Sequence, residues 1–192
     1  NVTGLIVGTN GAAPFNNVII TNGGKLFTTD RPYIGFSGLA SNNTVTVTGT
    51  GSVWSGSGTL WLGMQSPNNA LVIANGGEVR GMNYENFQSG GCSILVTNGG
   101  KFYTGGGCVG DGSANCGISV IGGSNGVSLM DNGGGGISFG NNALNSTNNM
   151  LLVDGAGPGD VLPPRGEPRA VSIEAVAGAD PDDTIAAIEL LY

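Results

Sequence analysis

Two segments of this chain carry the same phrase, Thr-Asn-Gly-Gly-Lys followed by Leu or Phe, at residues 21–26 and 97–102. A third copy lies between them at 74–79, and 48–53 is a looser fourth. Self-similarity at a period of about 25 residues marks a repeat architecture. A unit of that length holds too few apolar side chains to bury a core alone. Neighbouring units must therefore stack and share one.

The composition agrees with a strongly turned β protein. Gly is the dominant residue with 38 copies, whereas charged residues make up 10% and aromatics 6%. Helical and α/β domains are richer in Lys, Glu, Leu and Ala. Gly and Asn tolerate the left-handed backbone of tight corners. The apolar fraction of 39% is too high for a disordered low-complexity chain. Net charge is −7 and unevenly placed. Residues 1–149 hold five acids against four bases, a net of −1, and residues 150–192 hold eight acids against two arginines, a net of −6. A near-neutral body with an acidic tail argues against nucleic-acid binding, which needs a basic surface. The apolar runs are too short to span a bilayer.

Aligned on the Gly pairs, the repeats place apolar residues in columns. One inward column reads Val18, Val45, Leu71, Ile94, Ile118, Leu151; the next reads Ile20, Val47, Ile73, Val96, Val120, Val153. After the Gly corner come Leu26, Val53, Val79, Phe102 and Val127. An apolar-Gly pair recurs further on as Val7-Gly8, Ile34-Gly35, Leu62-Gly63, Val109-Gly110 and Phe139-Gly140. The third coil lacks it and shows Gly81-Met82 instead. Within each rung the pattern alternates, as at Thr44-Val45-Thr46-Val47-Thr48, which implies strands with one buried face. Short strands at this fixed phase predict an all-β fold, a right-handed parallel β-solenoid of about six coils over residues 1–157. A β-sandwich is the structural alternative. Asn recurs at the corners, at Asn16-Asn17, Asn42-Asn43, Asn68-Asn69, Asn115 and Asn148-Asn149. It serves there as a turn former, as a ladder along the axis, or as both.

The Asn-Gly-Gly phrasing and the apolar-Gly pairs resemble the secreted bacterial β-solenoid repeats of autotransporter-like passenger domains and large surface proteins. The resemblance covers about residues 1–157 and implies an extracellular, structural or adhesive protein. It carries over no catalytic residue.

Three cysteines, Cys92, Cys108 and Cys116, leave an odd number. Cys92 and Cys116 lie one coil apart, and each precedes a core strand. A coil spacing of about 5 Å suits the Cα separation of a disulfide. The rival pairing is Cys108 with Cys116, and either fits an oxidising compartment. With no His and no Cys-x-x-Cys, a zinc site is not expected, and no cofactor is implied.

Pro158, Pro163, Pro164 and Pro168 cannot donate to a ladder, so the solenoid should stop at a linker over 158–168. The remainder, 169–192, reads as a β-rich tail, with 184–190 open to either strand or helix.

The outer face offers two columns for assembly. Ile19, Thr46, Val72, Leu95, Ser119 and Leu152 form a stripe with four aliphatic members, Ile19, Val72, Leu95 and Leu152, which something should cover. Phe27, Trp54, Arg80 and Tyr103 form a partly aromatic one, suited to sugar stacking or subunit packing. The five acids of the body do not cluster on the repeat frame, and a general base of the His type is missing, so an enzyme is not expected. The leading expectation is a structural subunit of an extracellular filament or surface assembly. Copies would stack end to end, with the tail contacting a neighbour. The alternative is a glycan-binding adhesin passenger.

Overall fold

The computed structural model describes residues 1–9, 13–87, 89–140 and 146–155. Every strand and helix element among them is a strand. β1 (Ile6–Val7) precedes a first coil of β2 (Asn17–Ile20), β3 (Lys25–Thr28) and β4 (Tyr33–Ile34). The second coil holds β5 (Thr44–Thr48), β6 (Val53–Gly56) and β7 (Thr59–Leu62); the third holds β8 (Ala70–Ala74), β9 (Glu78–Arg80) and β10 (Asn83–Phe87). β11 (Ser93–Thr97), β12 (Lys101–Tyr103) and β13 (Gly107–Asp111) make the fourth. β14 (Gly117–Ile121), β15 (Leu129–Asp131) and β16 (Ile137–Phe139) make the fifth, and β17 (Met150–Asp154) follows.

Corresponding strands of successive coils pair in parallel, forming three sheets. Sheet I runs β2-β5-β8-β11-β14-β17, sheet II β3-β6-β9-β12-β15, and sheet III β1-β4-β7-β10-β13-β16. This is a β-solenoid of about five coils rather than six, because β17 alone represents the last. The linker at 158–168 and the tail at 169–192 lie outside the described residues.

The Asn-Gly-Gly phrase has a direct physical reading. Asn22, Asn75 and Asn98, and the glycine after each, all have positive φ, between 51° and 80°. Two consecutive left-handed residues make the corner of type I′. The second glycine of the pair is needed for space. A Cβ at Gly77 would meet the Val47 carbonyl of the coil below, and one at Gly100 would meet that of Ile73.

The core is a narrow apolar column between the three sheets. Val45, Val47, Leu71, Ile73, Ile94, Val96 and Ile118 are buried on sheet I, as the alternation predicts. Burying one such side chain stabilises by about 1.5–3 kcal/mol. The inward column ends at Val153, which is 50% exposed because no strand beyond β17 covers it among the described residues.

On sheet II the register departs from the sequence alignment. Leu26 pairs with Trp54, Trp54 with Val79, Val79 with Phe102, and Phe102 with Met130. Trp54 is therefore an inward residue and is fully buried. Val53 belongs to the column of Lys25, Glu78 and Lys101. The cause is one extra residue in the second corner, where Gly49 and Gly51 are separated by Thr50. Side chains alternate with period two, so a one-residue slip turns every one of them over. The fifth corner is longer still. Met130 takes the inward place expected of Val127, which is 55% exposed.

Candidate functional site

The most ordered polar feature is a ladder inside the corner between sheets III and I. Its rungs are Asn16, Asn43, Asn69, Cys92, Cys116 and Asn149, each just before a sheet I strand or at its threshold. The Asn16 backbone N–H donates to Asn43 Oδ1 at 2.8 Å, and Asn43 N–H donates to Asn69 Oδ1 at 2.9 Å. Cys116 N–H likewise donates to Asn149 Oδ1 at 3.0 Å. At the two middle rungs sulfur takes the place of the amide oxygen. The Asn69 backbone favours the thiolate at Cys92, and the Cys92 backbone does so at Cys116. Each Asn amide nitrogen turns to a nearby corner carbonyl, as Asn69 Nδ2 does to Ser66 O at 2.8 Å and Asn149 Nδ2 to Ser113 O at 3.0 Å.

The recurring apolar-Gly pair exists to admit this ladder. Gly8, Gly35, Gly63 and Gly110 all have positive φ. A Cβ on them would run into Asn43, Asn69, Cys92 and Asn149, respectively. The glycine of one coil thus clears room for the rung of the next.

All three cysteines are buried and outside any disulfide, so neither the Cys92–Cys116 nor the Cys108–Cys116 bridge is formed. Cys92 and Cys116 do share a corner of adjacent coils, as their spacing predicts, and each thiol affects the titration of the other. The presence of Cys116, together with burial, pushes the Cys92 thiol up. The presence of Cys92 pulls Cys116 down against the opposing effect of burial, aided by Ser113 Oγ at 3.4 Å. Cys108 lies on sheet III, paired with Glu85 and Ser138.

The outer columns are partly as expected. Ile19, Thr46, Val72, Leu95, Ser119 and Leu152 stand in one register on sheet I. The second column is Phe27, Ser55, Arg80, Tyr103 and Asp131. Ser55 stands where Trp54 is expected, because of the slip. Arg80 forms an ion pair with Glu78 at 3.0 Å. Beside Tyr103 is a shallow depression also lined by Asn83, Thr104 and Asp131.

Sequence reasoning misses a cluster on sheet III. Trp61 lies beside Tyr33 at 5.9 Å between ring centroids, with the Arg31 guanidinium 5.8 Å from the Trp61 ring. Glu85 pairs in register with Trp61. Burial first, and then the nearby Asp111 charge, raise the Glu85 carboxyl above the usual carboxylate range. Two of the acids read as scattered therefore do sense each other. The signal was available in the Tyr33, Trp61, Glu85 column, but the third coil lacks the Gly pair that sets the frame.

Among the described residues no group of three or more His, Cys, Asp or Glu is placed to hold a metal, and no helix is long and apolar enough to cross a membrane. Comparison with protein-family models, with curated proteins and with solved structures gives no match.

Proposed function

We propose that this chain is a structural subunit of an extracellular filament or surface assembly. The observation that carries the reading is the use to which buried polar side chains are put. Asn43, Asn69, Asn149 and Ser113 bond along the axis or to their own corners. Thr28 accepts from Trp54 Nε1 at 3.3 Å. These groups hold coil on coil, which is what a rod requires. Within the described residues β2 and β17 each have one strand neighbour. The contact that completes such an edge is a further coil of the same spacing, whether from more of the same chain or from another copy. End-to-end stacking of copies continues the three sheets, and in this reading the tail reaches the neighbour. The resemblance to secreted solenoid repeats and the low charge suit an exposed material. The glycan-binding alternative loses Trp54, and with it the aromatic continuity on which it rested.

Negative-stain microscopy and fibre diffraction of the purified chain test the proposal. Rods with a meridional repeat of about 4.8 Å are the expected result. A protein that stays monomeric at every concentration reached would sink it.

A further inference from the structure

The charges of the described residues are segregated by face. Lys25, Glu78 and Lys101 share one outward column of sheet II, and Arg80 and Asp131 share the other. Glu85 and Asp111 belong to sheet III, with Arg31 against its Trp61. Sheet I has no charge on any outward position except Asp154, on its last strand.

The relief of that face is also regular. Its central column is Ile19, Thr46, Val72, Leu95, Ser119 and Leu152. Beside it runs a column with Thr44, Ala70, Ser93 and Gly117 in its middle coils and Asn17 and Met150 at its ends. Over the third to fifth coils Val72, Leu95 and Ser119 are each larger than the Ala70, Ser93 and Gly117 beside them, a ridge next to a shallow groove. A contiguous outward face this poor in charge marks an interaction surface; Asp154, on its last strand, is the one charge it carries among the described residues.

We infer that the outer face of sheet I is a lateral docking surface for the same face of a second copy. Two observations favour that occupant. Apart from Asp154 at one end the surface is free of charge, so two like faces meet with little repulsion. Its rows also repeat at the rung spacing, about 4.8 Å, which another solenoid of this kind matches along the whole contact. Across a two-fold axis, the ridge of each copy lies in the groove of the other, as in a dry zipper between sheets. The 29 residues of its six strands, at about 4.8 Å by 3.3 Å each, span roughly 460 Å². A stable interface takes about 800 Å² from each partner. One chain therefore pairs weakly. A rod pairs strongly, because the same contact recurs along its length. The inference rests on the assembly proposed above and names its lateral contact.

The test compares the full chain with Val72→Lys and Leu95→Lys by sedimentation over a wide concentration range, with microscopy of the same samples. Thr46→Lys repeats it at a site that removes no aliphatic side chain, and Thr59→Lys on sheet III is the control. Circular dichroism verifies folding. Wild type and the control should pair with increasing concentration, and their rods should bundle. The three sheet I variants should associate about tenfold more weakly or worse, and their rods should remain single. Pairing and bundling unchanged in all three variants would overturn the docking face while leaving the assembly standing. A wild type that forms neither pairs nor rods would overturn both.

Discussion

Trp54 shows how one residue can change side. The sequence alignment puts it outside, next to Phe27 and Arg80, but the fold buries it completely, against Thr28. The extra residue between Gly49 and Gly51 flips the strand, and the flip is tolerated because both outcomes place an apolar residue inward. Val53 is inward in one register and Trp54 in the other, so hydrophobicity alone does not choose. Neighbouring coils do choose, since Val79 and Phe102 must stack on the same side. Trp54→Ala should accordingly destabilise by about 3–5 kcal/mol in denaturant or thermal melts, as expected of a large buried aromatic. A change within about 0.5 kcal/mol, the range of surface substitutions, would place the side chain outside after all.

At the scale of elements, the ladder explains three sequence features together. Asn at the corners, glycine after an apolar residue, and cysteine in the third and fourth coils all serve one line of hydrogen bonds. Its steps are of two kinds, because an amide oxygen is a stronger acceptor than a thiol sulfur. Asn69→Ala removes the acceptor of the Asn43 N–H and leaves that donor buried, at a cost of about 1–3 kcal/mol. Cys92→Asn restores the repeat's own rung but must fit against Gly63, whose α-carbon lies close to Cys92 Sγ. Thermal melts should show Asn69→Ala well below wild type and Cys92→Asn close to it. The opposite order would mean that packing around sulfur, not the acceptor, decides the rung. The corner positions were legible in the sequence. The equivalence of cysteine and asparagine was not, because it depends on which atoms the backbone of the preceding coil presents.

Over the whole molecule, strand pairing links each coil to its neighbours, and stability should approach a sum of coil and interface contributions. Val45 lies in the second coil and Ile118 in the fifth, both fully buried. The double variant Val45→Ala/Ile118→Ala should lose the sum of the two single losses to within about 0.5 kcal/mol. A larger discrepancy would show coupling that nearest-neighbour stacking does not provide. The sequence by itself determined that the chain is a stacked parallel β protein, and where the sheet I strands and most corners fall. Period-two alternation and left-handed corner residues are local properties, and repetition multiplies their weight. Only the tertiary structure decided the register of sheet II, the effect of the Asp111 charge on Glu85, and the near absence of charge from the outer face of sheet I. Each of these depends on how many residues every corner consumes, and a corner of one extra residue leaves the repeat recognisable while changing what lies above what.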